Sequence, residues 1–184
     1  SSAARLFVQR TISITSQPTN TTGAVGGTSS FGVAATTSDN DAGDITYQWQ
    51  VSITDGSTWS NVSEGTGGTT TTYTTGSTSY DNDYGDYYRC RLNVAGAPEV
   101  FTNSARNLVQ RTINITSQPS NVTGAVGGTS SFGVAATTSD NDAGDITYQW
   151  QVSITSGASW SNVSEGTGGT TVTYTTPTLT TAYD

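Results

Sequence analysis

Between Ile45 and Trp59 the chain reads ITYQWQVSITDGSTW. Ile45, Tyr47, Trp49, Val51 and Ile53 alternate with Thr46, Gln48, Gln50 and Ser52. A period of two places the two sets on opposite faces, so the stretch predicts a strand with one buried face. Thr54-Asp55-Gly56-Ser57 then supplies turn chemistry, and Trp59 opens a return strand. Similar patterns predict the neighbours. Residues 10–15 form a strand with Ile12 and Ile14 inward, ended by Gln17-Pro18, because proline has no N–H for a ladder. Val25-Gly26-Gly27 is a turn, and residues 29–35 are a strand with Phe31, Val33 and Ala35 on one face. After the central strand (45–53) and its return (58–62), strands follow at 69–75 around Tyr73, at 87–94 with Tyr88, Cys90, Leu92 and Val94 inward, and at 100–109. Residues 39–44, 65–68 and 81–86 read as loops. No 3.6-residue period lasts longer than two turns, so the pattern predicts an all-β chain.

The pattern occurs twice. Shifted by 101 positions, residues 8–75 fall on 109–176, and 61 of these 68 pairs are identical. Segments so alike must share one fold, and a period near 100 residues fits whole domains in tandem rather than solenoid repeats. Ser2-Ala3-Ala4-Arg5 with Val8-Gln9-Arg10 matches Asn103-Ser104-Ala105-Arg106 with Val109-Gln110-Arg111. Residues 1–9 therefore read as the last strand of a preceding domain, 10–110 as a complete domain, and 111–184 as a second domain lacking its last two strands. These would come from the rest of a longer array or from another chain by strand addition. No Pro-rich or Gly/Ser linker separates the copies, which favours a semi-rigid rod.

About seven short strands in about 100 residues, with an inward Trp in the third, predict an immunoglobulin-like β-sandwich. Tyr47-Gln48-Trp49-Gln50, Gly56-Ser57-Thr58-Trp59 and Gly85-Asp86-Tyr87-Tyr88-Arg89-Cys90 carry a further likeness. With them the chain resembles the Ig-like repeats of phage structural proteins and bacterial surface proteins. The resemblance covers nearly the whole chain. It implies a spacer, decoration or adhesin, extracellular, on a virion or a cell surface, with neighbouring Ig-like domains of the same or another chain as partners. The leading context is a phage virion appendage or decoration. A bacterial or archaeal adhesin, filament or S-layer-like protein comes second, and a carbohydrate-binding module attached to an enzyme third. The expected core is Val33, Trp49, Tyr88 and Cys90 in the first copy and Val134 and Trp150 in the second. Val33 stands where antibody domains have a cysteine, so Cys90 is expected buried and unpaired. Tyr88 matches the tyrosine corner, whose hydroxyl bonds backbone at the turn before its strand.

Composition narrows the chemistry. The chain of 184 residues is only 32% hydrophobic, and Thr, Ser, Gly and Asn fill the rest. Its net charge is -8, with no Lys and no His. An acidic surface repels phosphate backbones, which argues against nucleic acid. No apolar run approaches the ~20 residues of a membrane span. Without His, Lys or a GxSxG elbow, nucleophilic catalysis has no support, and the reading is a non-enzyme.

Three ligand sets remain. The runs 39–44, 81–86 and 140–145 share D-N-D-x-G-D and hold nine of the 14 acidic residues. Alternating Asp around a Gly turn can aim several oxygens at a hard cation. Strand directions in such a sandwich point run 81–86 of one domain at run 140–145 of the next. A Ca²⁺ site of Asp81, Asp83, Asp86, Asp140, Asp142 and Asp145 is therefore one candidate. The competing reading is a solvated turn, since Asp, Asn and Gly tolerate turn dihedrals. Trp59 and Trp160, with Tyr80, Tyr84 and Tyr87, could stack on cell-surface glycans, or each Trp could pack across its own hairpin. Asn20, Asn61, Asn114, Asn121 and Asn162 each open an N-x-[ST] sequon.

Overall fold

The computed structural model describes residues 9–181. The strand expected at residues 1–9 therefore lies, but for Gln9, outside the described residues. The chain divides into two compact units between Arg111 and Thr112.

Unit 1 is a two-layer sandwich. One layer is a six-stranded sheet, in which the order is β2 (Thr21–Ala24), β10 (Ala105–Gln110), β8 (Tyr87–Asn93), β5 (Thr46–Ser52) and β6 (Ser60–Asn61), with β9 (Val100–Phe101) also paired to β8. The other layer pairs β1 (Ile12–Ser16) with β4 (Ala34–Thr37) and β3 (Ser30–Gly32) with β7 (Thr72–Thr74). The expected strand 29–35 is thus one run that changes partner at Val33. β5 and β8 pair over seven residues, with Trp49 opposite Cys90. Their inward side chains meet Phe31, Val33 and Ala35 from the opposite layer, and Trp49, Cys90 and Leu92 are wholly buried. The Trp49 indole Nε1–H donates to the Thr70 carbonyl at 2.9 Å, which satisfies its one polar atom.

Three elements differ from the sequence expectation. Residues 21–24 form β2, which lies parallel to β10. The last strand is broken after Phe101 because Thr102 turns inward. Its Oγ1 accepts the Cys90 N–H at 2.8 Å, and its own N–H donates to the Cys90 carbonyl. The acidic loop 81–86 begins as one helical turn, α1 (Tyr80–Asp83). The Ser79 Oγ accepts the Asn82 N–H, and the Asp83 carboxylate reaches back to the Ser79 N–H at 2.6 Å. These bonds occupy N–H groups that a helix start leaves open.

Unit 2 repeats part of this plan: β11 (Ile113–Ser117) pairs β13 (Ala135–Thr138), β12 (Ser131–Gly133) pairs β16 (Thr173–Thr175), and β14 (Gln151–Val152) pairs β15 (Ser161–Asn162). The expected buried centre is not formed there. Val134 and Trp150 are only half-buried, and Ile113 is 63% exposed. The reason is the missing cover. In unit 1 β8 lies against β5 over Trp49, while no described residue of unit 2 takes that place. Even so, the Trp150 Nε1–H keeps its bond, to Thr171 O at 2.8 Å.

Candidate functional site

Strand alternation puts Tyr87, Arg89, Arg91 and Asn93 of β8 on the outer face of the six-stranded sheet, because Tyr88, Cys90 and Leu92 are buried. Across the ladder they face Ser52, Gln50, Gln48 and Thr46 of β5. The guanidinium of Arg89 lies between two aromatic rings, 4.2 Å from the centre of Trp59 and 4.3 Å from that of Phe101. Its Nε–H donates to Gln50 Oε1 at 2.9 Å, and Gln50 Nε2–H donates to Asn61 Oδ1. Burial lowers the Arg89 pKa, and the charge of Glu99 opposes this. Beyond Tyr87, Arg106 covers that ring at 5.3 Å. Half of the chain's six cations thus sit on one face.

Trp59 is therefore not an open stacking platform in unit 1. Its indole N–H donates to Gly56 O at 3.0 Å, and Arg89 lies against its ring. Trp160, whose unit has no described counterpart of Arg89, is 60% exposed. Tyr80 and Tyr84 stack on each other at 4.9 Å, with Arg111 over Tyr80. Trp59, Tyr80 and Tyr87 thus each have a partner within unit 1. Gln50, Trp59 and Arg89 each lie in a separate motif, and no motif joins them or includes Phe101. Period two showed that Arg89 faces out, but only the register of β9 brings Phe101 to it.

The acidic runs do three different things. In the first, Asp39 accepts from Thr37 Oγ1 at 2.6 Å and pairs with Arg10 at 2.8 Å, while Asp44 meets Arg10 at 3.3 Å. The Thr37 hydrogen bond, then Arg10, hold the Asp39 carboxyl down at about 2. In the second, Asp81 is exposed, Asp83 is used in capping α1, and Asp86 is half-buried. In the third, Asp140 accepts the Asp142 N–H and Asp142 accepts the Gly144 N–H, the local bonding of an Asx turn. Among the described residues no group of three His, Cys, Asp or Glu side chains is placed to hold a metal ion.

Asp86 carries a measurable consequence. Burial, then the charge of Asp83, push its carboxyl up to about 6. A folded pKa above the unfolded one means stability is full below about pH 4 and declines as pH rises through about 6. Asp86→Asn is therefore expected to stabilise unit 1 at pH 7, by about 1 kcal/mol after allowing for its exposure, and to change little at pH 4. Denaturant midpoints of both proteins at the two pH values check this.

Tyr88 does not form the expected corner. Its ring stacks on Phe31 at 4.7 Å, and its hydroxyl bonds no described residue. The backbone bond comes from Tyr73 instead, whose hydroxyl donates to Glu64 O at 3.0 Å. Cys90 is free and buried, and burial pushes its thiol up to about 11. Since the thiolate is the nucleophile, a thiol reagent at pH 8 is expected to label Cys90 only after denaturation. Mass spectrometry before and after denaturation checks it.

No protein-family model and no curated protein matches the chain. Solved structures do. The chain is similar to Sidekick-1 immunoglobulin domains 1–4, at 11% identity and a TM-score of 0.56, over 92% of this chain and 41% of that one. Sidekick-1 immunoglobulin domains 1–5 match at 14% identity and TM-score 0.47, over 69% of this chain and 25% of that one. The extracellular domains 3–5 of Drosophila OTK match at 10% and 0.45, over 93% and 53%. The chain thus spans less than half the length of the Sidekick-1 structures. Identities this low speak to fold alone. Layer order, register and the Sidekick-1 domains 1–4 likeness agree: this chain is all-β, a tandem of immunoglobulin-like β-sandwich domains.

Proposed function

We propose that the chain is a non-catalytic structural and adhesive segment of a larger, surface-displayed protein, most in keeping with a phage virion appendage or decoration. The observation that carries this is the repeat: two Ig-like copies, 61 of 68 positions alike, joined without a linker. Such an array sets a distance and presents faces. The YQWQ, TW and GDYYRC motifs support a surface-displayed repeat through their resemblance to the Ig-like repeats of phage structural proteins and of bacterial surface proteins. Its partners are then neighbouring Ig-like domains and the surface it meets. Among the described residues no helix is long and apolar enough to cross a membrane.

The complete reading frame tests this reading. Virion assembly domains beside the repeats would support it. A secretion signal with a cell anchor would replace it with a cellular adhesin, and a catalytic domain with a carbohydrate-binding module. An antibody raised to the chain should also label virions by immuno-electron microscopy.

A Ca²⁺ ion held by Asp81, Asp83, Asp86, Asp140, Asp142 and Asp145 remains a separate proposal, supported by the repeated D-N-D-x-G-D pattern. Calorimetric titration of the chain, with Asp81→Asn and Asp142→Asn, decides it. No binding at millimolar Ca²⁺, or binding unchanged in both variants, leaves these runs as solvated turns.

A further inference from the structure

We propose that the outer face of the six-stranded sheet in unit 1 binds a carboxylate-bearing polysaccharide through Arg89 and Arg91. This deepens the adhesive part of the proposed function and rests on it.

Arg89 is presented in a fixed pose. Two rings hold its plane, and Gln50 takes its Nε–H. No described residue accepts from its terminal nitrogens. A planar guanidinium with a free edge matches a carboxylate through two parallel hydrogen bonds. Because the side chain is already ordered, little rotamer freedom is left to lose on binding. Arg91 lies two residues on, about 7 Å along the same face. Its Nε is buried with no hydrogen-bond partner, and no described residue accepts from the rest of the guanidinium. A ligand carboxylate would therefore meet the terminal nitrogens of Arg91, which no described residue occupies, rather than the enclosed Nε.

The rest of the face decides the kind of ligand. Across the ladder from the two arginines and beside them stand Thr46, Gln48, Gln50 and Asn93, all amides or a hydroxyl, and the carboxylate whose charge reaches Arg89 is that of Glu99. The aromatic groups are Phe101, 37% exposed, and Trp59, both engaged by Arg89, and Tyr87, covered by Arg106. A protein partner needs apolar anchors seated in pockets, and this sheet face offers none. A hydroxylated chain bearing carboxylates fits its flatness, its amides and its charge. The sign is also local. The chain as a whole is at -8, so the attraction comes from these arginines and not from net charge.

The test is calorimetric titration of the full chain with polygalacturonate, with its methyl ester, and with poly-glutamate, at low and high salt. The expected result is saturable binding of polygalacturonate, weakened by salt and absent for the neutral ester. Arg91→Gln should weaken it about tenfold, the effect of one lost charged contact. Its thermal midpoint should not move, since Arg91 makes no side-chain hydrogen bond to a described residue. Arg89→Gln with Arg91→Gln should abolish binding. No binding of polygalacturonate, or binding unchanged in Arg91→Gln, overturns the proposal. Equal binding of poly-glutamate also overturns it, in favour of an acidic protein. A null result would leave the structural reading in place, because reading frame and virion labelling judge that separately.

Discussion

Trp49→Ala is expected to cost unit 1 about 3–5 kcal/mol, the range for deleting a large aromatic side chain from a packed core. Trp49 is wholly buried and joins both layers. It lies 6.4 Å from Phe31 and 6.1 Å from Tyr73, ring centre to ring centre. Its removal opens a cavity between strands held in register by seven pairs, so the walls cannot close freely. It also leaves Thr70 O without the indole donor. The internal control is Trp150→Ala. That residue makes the corresponding bond and stacks on Tyr174 at 6.1 Å, yet it is half-exposed. Its loss should cost clearly less, since burial scales with the area removed from water. Far-UV circular dichroism during urea unfolding measures both. Equal losses would mean that Trp49 is not the centre of its unit.

Gly67→Ala is expected to be nearly as damaging, by about 2–4 kcal/mol, although it adds one methyl group at a loop. Gly67 has φ +77°, where a side chain is strained, and a Cβ there would collide with the carbonyl oxygen of Thr72. Neither can relax alone. The loop is tied back on itself by Thr70 N–H to Gly67 O, and Gly68 O accepts the N–H of Trp49. Displacing this turn therefore pulls on the central strand. Gly32→Ala is the comparison, because nothing lies near its absent Cβ and its φ is unstrained. It should change the midpoint little in the same urea experiment.

The contrast shows where the sequence was legible. The alternation in residues 45–53 and 87–94 gave β5 and β8 and the inward places of Trp49, Cys90 and Leu92, whereas Ile53, expected on the same face, falls past the end of β5 and is 77% exposed. Large side chains at every second position leave no other face to bury. β2 was not legible, because Thr21-Thr22-Gly23-Ala24 carries no large apolar residue. Its place comes from the edge of β10, which lies 86 residues away in sequence. α1 hid in a run rich in Asp and Asn, residues that favour turns, until Ser79 and Asp83 closed its first turn. Tyr88 had the right offset from Cys90 for a corner, but stacking on Phe31 sets its ring and Tyr73 reaches the backbone instead. The candidate ligands divide the same way. The acidic runs could be read as a composition, whereas the Arg89 clamp depends on three strands meeting.

β2 and β10 run parallel, near opposite ends of the unit's sequence, with Thr21 beside Asn107 and Ala24 beside Gln110. If the chain is pulled by its two ends, these strands are drawn past each other along their length. Their hydrogen bonds then stand across the line of force and are loaded together. In an antiparallel pair joined by a turn the bonds would be opened one after another, like a zip. A load-bearing unit in which the bonds must fail together gives way only at high force. The short, inconspicuous strand after Pro18 is thereby the clasp of the domain.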